Sequence, residues 1–301
     1  MAVRDGLRAL KRKLMRFQIF PVLNFPNRAI STWLHYIWPT VRNWIAWLFK
    51  SREDGNFTYD LTQRCQLNFL AGLSSILNES PDVIRKYLSE IQEDAEFKSH
   101  IAALLTNHPD RYRTDPEPHV GRRMVWYAIV RATKPEVVVE TGVDQGMGAI
   151  VLCAAIKRNA SEGHPGKYFG TDINPSAGYF LNGEYAKFGT ILYGDSLKSL
   201  EALNKIDLFI NDSDHSASYE KAEYELIRDK LSPRAIVLGD NAHVTSELAE
   251  FSMRHGRRFV FFSEEPENHW YKGAGIGIST PGDKTPALNA PCRAIRETHA
   301  R

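Results

Sequence analysis

From Glu136 onward, short apolar runs alternate with stretches of helical period. The runs are EVVVET (136–141), YFGTDI (168–173), TILYGD (190–195), DLFIND (207–212), AIVLGD (235–240), RFVFFS (258–263) and GIGIS (275–279). Most are rich in β-branched or aromatic residues at consecutive positions, as expected of strands buried on both faces. Between most of them lie segments with apolar residues three and four apart, such as GAIVLCAAIKRN and ASYEKAEYELIRDKL. Strand and helix in alternation predict an α/β fold with a mostly parallel sheet covered by helices on both sides.

The preceding segment has only the helical period. NFLAGLSSIL and PDVIRKYLSEIQEDAEFKSHIAALL predict helices within residues 58–105, with Ser80 as cap and Pro81 in a first turn that tolerates it. TNHPDRYRTDPEPHVG (106–121) is polar and carries three prolines, which predicts a linker or lid. RRMVWYAIVRAT then reads as a helix leading to Pro135. Residues 281–301 are polar and Pro-rich, and are expected to be poorly ordered. The divisions are an N-terminal segment (1–55), a helical cap or linker region (56–118), the α/β domain (119–280) and a tail (281–301).

Composition adds little for the α/β part and much for the N-terminus. The chain has 301 residues, 43% hydrophobic and 25% charged, ordinary for a soluble protein. Cys65, Cys153 and Cys292 are too few and too scattered for a zinc ribbon or disulfide framework, which suits a reducing, cytoplasmic compartment. Residues 1–52, however, hold ten Lys and Arg against the single acid Asp5, and four of the six tryptophans: Trp33, Trp38, Trp44 and Trp47. Residues 1–16 read as a basic amphipathic helix, broken by Pro21 and Pro26. The apolar stretch STWLHYIWPTVRNWIAWLFK is interrupted by Pro39 and Arg42, so no run reaches the ~18–20 residues of a spanning helix. No compact apolar core with a small-residue cleavage site suggests a signal peptide. Trp and basic side chains favour the boundary of an anionic membrane. The segment is either a peripheral anchor on the cytoplasmic membrane face or an aromatic arm packed on the main domain or in a homo-oligomer.

Candidate chemistry gathers at the strand ends. In open α/β sheets, ligands bind beyond the carboxyl ends of the strands. Five successive predicted strands end in acids: Glu140, Asp172, Asp195, Asp212 and Asp240. Clustered carboxylates repel, so a cationic ligand or a metal ion would account for them. In VVVETGVDQGMG, Gly142, Gly146 and Gly148 allow close approach of backbone to a ligand. Their spacing is not the Gly-x-Gly-x-x-Gly of dinucleotide sites, and Asp172 lies too far beyond Glu140 for that motif. Glu140 would also face a pyrophosphate unfavourably. A ligand with an amino group and no phosphate fits better.

Taken in order, VVVETGVDQGMG, GTDIN, GDSLKSL, IDLFINDSDHSASYE and AIVLGDNAH resemble the class I S-adenosylmethionine-dependent methyltransferases over about residues 120–280. They look most similar to the metal-dependent sugar O-methyltransferase branch, of the macrocin O-methyltransferase kind. The resemblance implies a Rossmann-like, doubly wound, seven-stranded sheet whose final strand, GIGIS, is antiparallel. It implies S-adenosylmethionine held by Glu140, Thr141, Gly142, Gly146, Asp172, Ile173, Asp195, Ser196 and Asp212. Glu140 and Gly142 would serve the amino-acid end, Asp172 the ribose hydroxyls, and Asp195 and Ser196 the adenine. It further implies Mg²⁺ on Asp212, Asp240 and Asn241, all oxygen ligands that suit a hard cation, and His215 as general base. A neutral imidazole near pH 7 can take the proton of a sugar hydroxyl.

Other readings of these residues stay open. Asp214 could replace Asp212 as ligand or could cap the following helix, and His215 could bond a loop carbonyl. Asn241 stands where the family often has a second acid, which weakens the metal site by one charge. His243 is a possible second base. Trp270 and Tyr271 in ENHWYKGAG suit either a sugar face or core packing. The expected function is O-methylation of a sugar, glycolipid or surface polysaccharide. The rivals are an NAD(P)-dependent oxidoreductase and a non-catalytic membrane-attached adaptor. Nucleic acid is not an expected partner, since no Asn/Asp-Pro-Pro-aromatic element follows the fourth strand.

Overall fold

The computed structural model describes residues 24–53, 58–117 and 119–282. The helix expected over 1–16, the break at Pro21 and residues 283–301 of the expected tail lie outside the described residues.

All seven apolar runs are strands: β1 (Val137–Thr141), β2 (Lys167–Asp172), β3 (Gly189–Tyr193), β4 (Ile206–Asn211), β5 (Leu231–Gly239), β6 (Arg257–Ser263) and β7 (Gly275–Pro281). They form one sheet in the order β3-β2-β1-β4-β5-β7-β6. β1 to β5 pair in parallel, and β7 runs antiparallel to both β5 and β6. This is the Rossmann-like, doubly wound sheet expected. The chain returns from the edge at β3 to lay β4 beside β1. The strand order therefore reverses next to β1 and leaves a crevice over the ends of β1 and β4.

The period of two along each strand divides the core. Val138, Leu208, Ile210 and Leu238 point to one side, where they meet helices α6 (Arg123–Thr133) and α7 (Met147–Ser161). Val139, Phe209 and Val237 point to the other, where Tyr224 and Ile227 of α9 (Ala217–Ile227) and Phe251 of α10 (Glu247–Arg254) cover them. The short helix α8 (Ser196–Glu201) follows β3.

The region before the sheet folds as α3 (Gln63–Leu77), α4 (Pro81–Glu93) and α5 (Ala95–Thr106). Thr62, Ser80 and Asp94 cap these helices by accepting from the backbone N–H groups of Cys65, Val83 and Phe97. Buried Arg131 of α6 bonds Glu90 of α4 at 2.8 Å and Glu162, just past α7, at 2.6 Å, so the helical region and the sheet share one core.

The N-terminal arm forms α1 (Phe25–Thr32), a π-helical stretch (Trp33–Ile37) and α2 (Trp38–Lys50) without a break. Pro26 sits in the first turn of α1 and starts the helix rather than ending it. Pro39 does not stop the helix either. The N–H of Trp38 bonds the carbonyl of Trp33, a wider step that takes up the register where proline lacks a donor. Among the described residues, no helix is long and apolar enough to cross a membrane.

Candidate active site

The glycine turn after β1 is shaped by what passes behind it. Gly142 has φ +81°, and a Cβ there would lie 1.9 Å from the carbonyl oxygen of Asp212. The ends of β1 and β4 thus touch through backbone. Gly146, at φ +91°, begins α7 and abuts Gly178. Asp172, at the end of β2, accepts from the N–H groups of Asp144 and Asn174, both at 2.8 Å, and so braces the turn.

Above these strand ends opens a cleft of about 1090 Å³. Of the expected cofactor residues, Glu140, Gly142, Gly146, Asp172, Ile173, Asp195, Ser196 and Asp212 line it. His215 and Asn241 line it as well. Thr141 and Asp240 are buried behind its wall. The polar 106–121 stretch supplies Asp110, Arg113, Thr114, Asp115, Glu117 and His119 to the same cleft.

Parity explains Thr141. Glu140 lies on the α6/α7 side, so Thr141 lies on the α9 side, level with Asn211 in the β1–β4 register. Both meet Glu223 of α9. Its buried carboxylate accepts from Thr141 Oγ1 at 3.1 Å, from Ser213 Oγ at 2.9 Å, and from Asn211 and Ser196. Burial raises the Glu223 pKa despite these bonds. Ser196 also meets the Tyr219 hydroxyl at 2.8 Å, so its side chain belongs to this network. Asp195 caps α8, accepting from Leu197 and Lys198.

Glu140 is almost fully buried. Tyr168 donates to it at 2.6 Å, and a Cβ at Gly148 would lie 2.2 Å from its Oε1. Burial pushes its pKa up to about 7, against the Tyr168 hydrogen bond and the charge of Arg123. Arg123 lines the cleft with its guanidinium 5.7 Å from the Trp126 ring centre, and its Nε has no hydrogen-bond partner among the described residues.

The residues expected to hold Mg²⁺ do not fit that ion. Arg122, the residue capping α6, binds both carboxylate oxygens of Asp240 through Nε and Nη2. Glu264 stands 3.8 Å from the same guanidinium and accepts from Tyr59 at 2.7 Å. Burial works to raise Asp240, but the charge and hydrogen bonds of Arg122 outweigh it and hold the carboxyl below its ordinary range. Burial and the neighbouring Asp240 charge push Asp212 well above that range. The two members of the acid pair are thus pushed in opposite directions, and Asp240 is the one that faces a fixed cation. Asn241 turns its amide to His215 at 3.0 Å. Among the described residues, no group of three or more His, Cys, Asp or Glu is placed to hold a metal.

His215 is half-buried in the cleft wall. Nδ1 lies 3.3 Å from Glu220 Oε1, and Nε2 faces Asn241 and stands 3.7 Å from Asp212. The bond to Glu220 raises its pKa above 6.5, against burial. Asp214 accepts from Ser216 N–H at 2.9 Å and so shapes the turn into α9. His243 lines a separate pocket of about 360 Å³. Tyr271 lines the main cleft, whereas Trp270 packs edge-on against Trp47 with ring centres 5.6 Å apart.

Four residues escaped the reading of the sequence: Arg122, Arg123, Glu220 and Glu223. Each left a signal. Two arginines at a helix start oppose the helix dipole, which implies acids nearby. Glu220, Glu223, Tyr224 and Ile227 follow the spacing of one helix face, so the two acids occupy a buried stripe.

Residues 139–242 match a family model described as a methyltransferase domain. No curated protein matches the chain. Solved structures similar to it include a methyltransferase from Geobacter sulfurreducens, 16% identical, with a TM-score of 0.47 over 61% of this chain and 90% of that one. An O-methyltransferase from Bacillus cereus in complex with S-adenosylhomocysteine is 14% identical, with a TM-score of 0.42 over 70% and 96%. A methyltransferase from Podospora anserina bound to S-adenosylhomocysteine is 13% identical, with a TM-score of 0.44 over 76% and 100%. Likeness this slight bears on none of the site residues. The match over 139–242 falls on the part of the sheet whose order reverses beside the glycine turn, so this part of the chain is similar to a methyltransferase domain.

Proposed function

We propose that the cleft transfers a methyl group to a hydroxyl of a sugar, carried on a glycolipid or surface polysaccharide. S-adenosylmethionine supplies the methyl as an electrophilic sulfonium when bound. Glu140 and Arg123 offer opposite charges to the ammonium and carboxylate of its amino-acid end. The Glu140 carboxylate, near its titration point, gains most from a cationic partner. Asp172 and Asp195 keep acceptor capacity for hydroxyl and amino groups beside their backbone bonds.

The observation that carries the reading is the Glu220–His215 pair. Glu220 accepting from Nδ1–H fixes the tautomer that leaves Nε2 an acceptor, holding the Asn241 amide at 3.0 Å until the sugar hydroxyl takes that place. Nε2 then takes the acceptor's hydroxyl proton as its oxygen bonds the methyl carbon and the sulfur keeps the electron pair of the bond that breaks. Arg122 supplies the fixed positive charge behind Asp212 and Asp240 that a divalent ion was expected to bring, so no step passes through a metal. The polar side chains of residues 110–119 and the Tyr271 ring suit an acceptor with many hydroxyls better than an apolar one.

The test is His215→Ala. Turnover on an accepting glycan should fall by about 10²–10⁴-fold, with S-adenosylhomocysteine affinity by calorimetry near wild type. Unchanged turnover removes His215 from the mechanism.

A further inference from the structure

Among the described residues, eleven of the nineteen exposed large hydrophobic side chains lie between Phe25 and Phe49. A patch this concentrated marks an interaction surface. Ile30, Trp33, Ile37, Trp44, Ile45 and Leu48 recur at helical spacing along one side of the arm, and all are exposed. The arm meets the protein body through a different side. There Asn43 Nδ2 donates to the His269 carbonyl at 3.3 Å, and Trp47 packs against Trp270. The apolar side is therefore left over after the arm has docked.

Charge selects the occupant. Residues 24–52 contain Arg28, Arg42, Lys50 and Arg52 and no acid, and residues 1–23 add six more basic residues against Asp5. A second copy paired arm on arm would bring one basic segment against another, and like charges repel. A bilayer with anionic head groups accepts both the apolar side and the positive charge, and tryptophan is at home at its boundary. We propose that the helix Phe25–Lys50 lies in the interface of an anionic lipid membrane, parallel to its plane.

The arm ends beside the cleft. The N–H of Arg52 bonds Asp115 at 2.7 Å, and Asp115 lines the cleft together with Tyr271, next to Trp270. Docking therefore brings the cleft mouth to the bilayer, where a lipid-carried acceptor is within reach; this consequence alone rests on the acceptor reading above.

The test is cosedimentation of the full chain with vesicles of phosphatidylcholine, with and without phosphatidylglycerol. The wild type should pellet with the anionic vesicles and be released as salt rises. Trp33→Glu combined with Trp44→Glu should weaken this binding about tenfold or more. Circular dichroism and the thermal midpoint check that the variant is folded. S-adenosylhomocysteine affinity should stay unchanged, which separates this test from that of the methyl-transfer reading. Equal vesicle binding by the folded double variant overturns the proposal. So does a wild type that ignores anionic vesicles and forms a dimer, by light scattering, that the double variant breaks.

Discussion

The guanidinium of Arg122 grips both oxygens of the Asp240 carboxylate, joining the start of α6 to the end of β5 across the floor of the cleft. Glu264, 3.8 Å from the same guanidinium, is the next carboxylate and already accepts from Tyr59. Breaking a buried pair leaves one charge stranded at a cost of about 3–5 kcal/mol. Arg122→Ala should lose that much stability in urea unfolding, and Asp240→Asn should restore part of it when combined with Arg122→Ala. Additive losses would mean that the pair does not act as a unit.

The same pairing bears on metal dependence. With Asp240 satisfied by Arg122, EDTA should leave turnover unchanged and added Mg²⁺ should not raise it. Loss with EDTA followed by recovery with Mg²⁺ would show that the pair opens to admit an ion.

The Glu220 bond raises the His215 pKa, so the imidazole keeps its proton to higher pH than an ordinary histidine. A base must be unprotonated to act. Turnover should therefore rise with pH through an apparent pKa above 6.5. Glu220→Gln removes the raising charge and should move that limb to lower pH. A limb that stays in place would assign it to another group.

Glu140 titrates near 7 because burial outweighs the Tyr168 bond and the Arg123 charge. Below that pH it is neutral and cannot pair with the donor's ammonium group. S-adenosylhomocysteine affinity should fall as pH drops through about 7 and level off above. Glu140→Gln should weaken binding about 10- to 100-fold and flatten the dependence. Calorimetry across this range reads both.

Glu223 collects donors from β1, β4, α8 and the loop after β4. Glu223→Ala orphans them at about 1–3 kcal/mol each and should unfold at clearly lower urea than Glu223→Gln, which keeps an acceptor. Equal midpoints would show that the network adds no stability.

The alternation of apolar runs and helical periods was enough to place seven strands and the glycine turn, because strand burial and turn chemistry are local properties written in consecutive residues. The acids at the strand ends were legible for the same reason, and ten of the twelve site residues expected from the sequence line one cleft. Their partners were not. Thr141 turns away from the cleft because it is one residue out of phase with Glu140, and Asp240 is taken by an arginine 118 positions earlier in the chain. The continuity of the arm through Pro39 likewise depended on a π-helical step that composition does not reveal. Which charge meets which is decided where elements distant in sequence converge. Packing sets that convergence, and the order of residues along a strand carries only half of it.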